Sequence, residues 1–116
     1  MENKLNPIKI TDPETNETYV LEFSKESVKF AEERRFNISE LLDYPQTNIP
    51  ALWFYAFRKN HKNVARNQTD KLLEELGGLT KDEIARLVQL YNEPANSLLI
   101  MEDEDSRKNV RLTVEL

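Results

Sequence analysis

Residues able to support acid–base or metal chemistry are few and scattered in this sequence. His61 is the only histidine, and the chain contains no cysteine. A protein metal site needs three or four converging ligands, and no His or Cys spacing of that kind is present. No glycine turn precedes a serine in the manner of a hydrolase nucleophile elbow. We therefore expect His61 to be an exposed or loop-packed residue rather than a metal ligand or a general base.

Paired carboxylates within the predicted helices include Glu32-Glu33, Glu74-Glu75 and Asp82-Glu83. Neighbouring residues on a helix point in different directions, so these pairs do not converge on a substrate. Acidic residues in a first helical turn also suit the helix dipole, which accounts for the third pair. The sequence therefore predicts a protein that is not an enzyme, with no catalytic residue, metal ligand or cofactor. Magnesium held by carboxylates is the remote alternative.

An aromatic run, Trp53-Phe54-Tyr55-Ala56-Phe57, is the most unusual feature of the sequence. With Ile49 and Leu52 it makes a helix that is apolar almost all round, and such a helix either is central or exposes an apolar face. We expect Trp53 and Phe57 to be mainly core. Phe54 and Tyr55 are expected at a surface that accepts an apolar helix of a partner, with Phe57 beside them.

Basic residues follow the aromatic run directly. Arg58, Lys59 and Lys62 are candidates for holding acidic segments of a partner. The predicted partner-binding residues are therefore Phe54, Tyr55, Phe57, Arg58, Lys59 and Lys62. Aromatic residues beside basic ones can also bind nucleic acid through stacking and phosphate contacts. A DNA-associated regulatory protein using residues 58–66 is thus the alternative interpretation.

Composition and charge remove several other classes of function. The formal net charge is −5, from 16 basic and 21 acidic residues, which argues against a protein that coats duplex nucleic acid. Only two glycines are present, fewer than phosphate-binding loops require. No apolar run approaches the roughly 20 residues of a membrane helix, and the N-terminus does not resemble a secretory signal. We expect a cytoplasmic protein without a membrane partner.

The chain begins with a strand pattern and continues with a helical one. Ile8 and Ile10 alternate with polar residues, as do Tyr19, Leu21 and Phe23, so residues 1–23 predict a β-hairpin. Capping signals then predict helices from Ser24 to about Arg35, a short one at Asn37 with Glu40, and one from Thr47 or Asn48 to about Asn60. A further helix is predicted to begin near Asn67 or Thr69 and to end at Gly77-Gly78. The last begins at Thr80, which forms a capping box with Glu83.

The last part of the chain carries weaker patterns. Pro94 either ends the last of these helices or begins a further turn through residues 98–100, and residues 102–105 form an acidic loop. Val110, Leu112, Val114 and Leu116 alternate with polar residues, which predicts a terminal strand that could pair with the hairpin. The predicted fold is α+β and mainly α, with four to five short helices. It forms one domain over residues 1–116: hairpin 1–23, helical body 24–100, acidic loop and terminal strand 101–116.

The order of short motifs resembles a known family. Leu21-Glu22-Phe23-Ser24 leads into Val28-Lys29-Phe30-Ala31-Glu32, and Leu41-Leu42 precedes Ala56-Phe57-Arg58-Lys59-Asn60-His61. Thr69-Asp70-Lys71-Leu72-Leu73 then precedes Leu76-Gly77-Gly78-Leu79 and Leu87-Val88-Gln89-Leu90-Tyr91. Over roughly residues 19–100 this series resembles the tail assembly chaperones of long-tailed phages and prophages of Gram-positive bacteria.

The resemblance implies a function without catalysis. Members of that family act in the host cytoplasm, are absent from the mature virion, bind the tape measure protein and help tail tube subunits assemble around it. It therefore implies the tape measure protein as the main partner, with the tail tube protein and further copies of the chain as additional candidates. A frameshifted longer form exists in many such phages. The family supplies no established binding residues, so the candidates remain those of the aromatic run and the basic residues after it.

Overall fold

The computed structural model describes residues 6–96, whereas residues 1–5 and 97–116 lie outside the described residues. The elements, in chain order, are β1 (Ile8–Thr11), β2 (Thr18–Leu21), α1 (Lys25–Glu33), a 3₁₀ turn (Ile38–Glu40), α2 (Pro45–Phe57), α3 (Arg66–Leu76) and α4 (Lys81–Ala95). The predicted α+β, mainly helical fold with an N-terminal hairpin is confirmed. The predicted turn at 98–100, acidic loop and strand at 110–116 lie outside the described residues.

The hairpin is antiparallel and is attached to the helices along one edge. Ile8 lies opposite Leu21, and Ile10 lies opposite Tyr19. On the other side of β2, the Val20 N–H donates to His61 Nε2 at 2.9 Å, and the Val20 carbonyl accepts from Asn60 Nδ2 at 3.0 Å. Residues that follow α2 therefore occupy the outer edge of β2.

Local capping chemistry sets most of the helix ends. Ser24 and Ser27 form a capping box at the start of α1, and Thr80 and Glu83 form one at the start of α4. Gly77 ends α3 in the left-handed conformation, with φ of 78°. The predicted pairing of Asn37 with Glu40 is wrong. The Asn37 side chain accepts from the Ser39 amide instead, because a 3₁₀ turn brings that amide closer.

Helix α2 begins at Pro45, two residues before Thr47, the earlier of its two predicted starts. Pro45 moves Tyr44 out of the helical region but is itself well suited to a first helical position, because it has no N–H that needs a hydrogen-bond acceptor. The predicted continuation to Asn60 is also wrong, since the helix ends at Phe57. Pro50 therefore lies inside the helix, where the carbonyl of Gln46 loses its usual donor; Gln46 is exposed, so water can replace it.

Helix α2 is the centre of the packing. It contacts α1, α3, α4, β2 and the 3₁₀ turn. Its Leu52, Trp53 and Phe57 are almost completely buried, together with Leu21 from β2 and Leu87 from α4. The Trp53 indole N–H donates to the Thr69 carbonyl at 2.8 Å, so the ring is both packed and hydrogen-bonded. No helix within residues 6–96 has the length and apolar character needed to cross a bilayer.

Candidate functional site

The aromatic residues of α2 divide between the core and the surface. Trp53 and Phe57 are each 1% exposed, and their rings lie 5.3 Å apart. Phe54 is only partly buried, and the Arg66 guanidinium lies 5.7 Å from its ring centroid. Ala51, Phe54 and Arg58 follow one another at helical spacing and share this partly exposed face of α2.

Tyr55 does not belong to that face. It is 6% exposed and packs against Phe30 and Phe36, with ring centroids 5.9 and 5.4 Å away. The expectation that Tyr55 lies at the surface is therefore wrong, because its direction on α2 points towards α1 and the segment after it. Phe57 is also buried in the core, as expected from the sequence. Neither ring can contact a partner in this conformation.

Phe30 of α1 takes the surface position expected of Tyr55. Its ring is partly exposed and lies between two guanidinium groups: the Arg34 carbon is 3.5 Å from the ring centroid and the Arg58 carbon is 3.8 Å from it. Arg34 also donates to the Phe30 carbonyl at 3.2 Å. Cations over an aromatic face are attracted by its quadrupole, and this attraction holds both arginines near the ring.

A surface cleft of about 450 Å³ opens beside this ring, between α1 and the residues that follow α2. We call it the Phe30 cleft. It is lined by Ser24, Glu26, Ser27, Lys29, Phe30, Glu33, Arg58, Lys59 and Lys62. The structure therefore brings together the three predicted basic residues, while Phe54 lies one helical turn before Arg58 and outside the lining of the cleft.

The lining of the Phe30 cleft has more cations than carboxylates, four against two. Lys59 lies 3.4 Å from a carboxylate oxygen of Glu22, and Lys29 lies 4.0 Å from one of Glu33. Arg58 stacks on Phe30 instead. Phe30 is the one apolar side chain of this lining, and an aromatic ring beside a cationic rim suits a ligand that presents an apolar side chain flanked by carboxylates.

His61 has a structural partner away from the Phe30 cleft. Its Nε2 accepts the Val20 N–H, and its ring lies 5.2 Å from that of Tyr19. Tyr19 donates to Glu17 at 2.8 Å, and this bond to a carboxylate, with burial, raises the pKa of Tyr19. Within residues 6–96, no three His, Asp or Glu side chains converge in a way that could hold a metal ion.

Phe30 was missing from the predicted site, although one signal for it was present. Phe30 and Arg34 are four residues apart on one helix, the spacing at which side chains meet. The second arginine gave no such signal, because Arg58 reaches the ring from another helix. Only the packing of α1 against α2 brings the two together.

Comparison with known proteins adds a family to this geometry. The whole chain, residues 1–116, matches the family described as Domain of unknown function (DUF5055). The chain belongs to this family. Neither a curated protein nor a solved structure matches it. The family description assigns no activity, so the Phe30 cleft and the exposed face of α2 carry the functional argument.

Proposed function

We propose that this protein is a tail assembly chaperone of a long-tailed phage or prophage, a binding protein rather than an enzyme, that holds the tape measure protein in the host cytoplasm. Two independent lines support the proposal. One is the order of motifs between residues 19 and 100. The other is a partly exposed aromatic surface bordered by cations, which a chaperone for a long, partly apolar helical protein requires.

The observation that carries the proposal is the position of Phe30 between Arg34 and Arg58. Phe30 is partly exposed in the cleft, and interface energy is concentrated at aromatic and arginine residues. Phe54 extends this apolar area along α2. The proposed ligand is therefore an amphipathic helix whose apolar stripe covers Phe30 and Phe54 and whose flanking carboxylates meet Arg58 and Lys62.

The first experiment is co-expression with the tape measure protein encoded in the same genome. If the proposal holds, the tape measure protein becomes soluble and co-purifies with this chain. If it stays insoluble and the two proteins elute separately, the proposal is wrong. Binding of other copies of the chain or of the tail tube protein is measured in the same preparation by light scattering and pull-down.

Charge reversal in the Phe30 cleft then maps the site. Lys62→Glu should weaken the complex at least about tenfold, because it reverses a charge on the rim of the Phe30 cleft. Lys71→Glu is the matched control, since Lys71 is exposed on α3 and lies outside that cleft. Equal losses in the two variants would show that overall charge, not this cleft, governs binding.

The DNA-associated alternative is tested with the same proteins. Within the described residues, two cations of segment 58–66 already face carboxylates: Lys59 lies near Glu22, and Arg66 contacts Asp70 at 3.1 Å. We therefore expect no salt-dependent shift of DNA mobility at micromolar protein. A shift that Lys62→Glu abolishes would favour the regulatory interpretation over the chaperone.

A further inference from the structure

The outer edge of β1 makes no backbone hydrogen bond to any of the described residues. Val20 directs its N–H and carbonyl away from β1, towards His61 and Asn60. Lys9 lies opposite Val20 in the ladder, so the Lys9 N–H and carbonyl point away from β2. Thr11, two residues later, has the same orientation. The edge therefore offers the backbone donors and acceptors to which an extended chain can add.

An apolar groove adjoins β1 at its hairpin-turn end. It has a volume of about 430 Å³, and Ile10 of β1 lines it together with Leu72 and Leu76 of α3. The two leucines are four residues apart, so they share one face of α3. Leu72 is 8% exposed, whereas Leu76 is 54% exposed. The apolar face of α3 therefore continues for one turn beyond the part that the described residues cover.

The groove is also acidic. Asp12 and Glu14 of the hairpin turn and Glu75 of α3 line it, and its lining includes no basic residue. Within the described part of the chain, none of these three carboxylates forms an ion pair with a lysine or arginine. A basic ligand would supply the missing cations, whereas an acidic ligand would be repelled.

We propose that the outer edge of β1 and this groove form a docking site for an extended, basic segment of a partner protein, which adds to β1 as an antiparallel strand. We call it the β1 docking site. Lys9 and Thr11 bond the backbone of the segment, and a side chain opposite Ile10 lies on the same face as Ile10 and covers Leu76. Antiparallel pairing is the more stable arrangement, and it requires the basic residues to precede the apolar ones, because the acidic groove lies at the end of β1.

Charge favours a partner of this kind over a second copy of the chain. The chain has a net charge of −5, and β1 itself carries a single cation, Lys9, followed by Asp12 and Glu14. Pairing β1 with β1 of another copy would therefore add carboxylates to an edge that already has them. The β1 docking site and the Phe30 cleft have no lining residue in common and select ligands of opposite charge, so the two sites are tested separately.

Binding of a labelled peptide to the full chain tests the chemistry of the β1 docking site. The probe is Lys-Lys-Val-Thr-Val-Thr-Val, in which threonine keeps a further cation from lying opposite Lys9. In the control peptide, glutamate replaces both lysines. By fluorescence anisotropy at low ionic strength, the lysine peptide should bind at least about tenfold more tightly than the glutamate peptide. No binding of the lysine peptide, or equal affinities for both peptides, would overturn the proposal.

Substitutions of exposed residues then locate the peptide. Leu76→Ser and Glu75→Lys should each weaken binding of the lysine peptide at least about fivefold. The matched controls lie outside the groove: Leu42→Ser removes a leucine that is 71% exposed, and Glu74→Lys reverses the neighbouring exposed charge on α3. Both controls should leave the affinity within about twofold, as is usual for surface changes that remove no contact. Losses in the controls as large as those in the groove variants would contradict the assignment.

Hydrogen exchange shows whether the peptide pairs with β1. Saturating lysine peptide should slow exchange of the Lys9 and Thr11 amides at least about tenfold and leave the Ile10 amide, which points to β2, unchanged. Two results would show a different occupant and refute the proposal. Amides that are already protected in the free monomer, with no change on adding peptide, would mean that another part of the same chain covers the edge. Protection that rises with protein concentration alone would mean that a second copy does.

Discussion

Serine substitution at two adjacent residues of α2 separates core from surface. Tyr55 is 6% exposed and its ring contacts those of Phe30, Phe36 and Phe54, the last at 5.4 Å, whereas Phe54 is only partly buried. Removing a buried aromatic side chain costs about 3–5 kcal/mol, so we expect Tyr55→Ser to lose about 4 kcal/mol. Phe54→Ser should lose less, about 1–2 kcal/mol, because part of its side chain is already exposed to water.

The comparison is controlled because both substitutions introduce serine at neighbouring helical positions, so the change in helix propensity cancels. Urea unfolding followed by the fluorescence of Trp53, the single tryptophan, and by far-UV circular dichroism measures both free energies. A loss for Phe54→Ser that equals or exceeds the loss for Tyr55→Ser would refute the assignment of Phe54 to the binding surface and of Tyr55 to the core.

Two further predictions concern α4. Thr80→Ala should lower the free energy of unfolding by about 1 kcal/mol, because the Thr80 hydroxyl accepts the Glu83 amide at 3.1 Å; Thr80→Ser, which keeps the acceptor, should lose much less in the same urea experiment. Burial, followed by the charge of Glu32 and then Tyr55, raises the pKa of Tyr91 to about 12. The unfolded chain then loses the tyrosine proton first, so stability should fall by about 2–3 kcal/mol as the pH rises from about 10 to 12. Tyr91→Phe should remove this part of the alkaline loss, and an unchanged alkaline profile in that variant would contradict the assignment.

Features set by a few neighbouring residues were predictable from the sequence. Ser24 and Thr80 precede helices because their hydroxyls accept first-turn amides, and Gly77 ends one because its backbone tolerates a positive φ. Each of these signals depends on side chains within about three or four residues of one another. The hairpin was predictable for the same reason, since alternation along each strand is a local pattern.

Features that depend on packing between elements were not predictable in the same way. Helix α2 is apolar almost all round, so its sequence does not indicate which way Tyr55 points, and it was placed on the surface although it is buried. The bond between Val20 and His61 joins residues 41 positions apart and has no local signal. The Phe30 cleft likewise exists only after α1 packs on α2, although the sequence had predicted three of its four basic residues as binding residues.

The central position of α2 also has a consequence for synthesis of the chain on the ribosome. The hairpin and α1 emerge first, but the aromatic side chains against which they pack belong to α2, and α3 and α4 come later still. A two-stranded hairpin alone has little stability in water. We therefore expect the nascent chain to stay unfolded until α2 has left the exit tunnel, and to reach its final packing only when α4 follows.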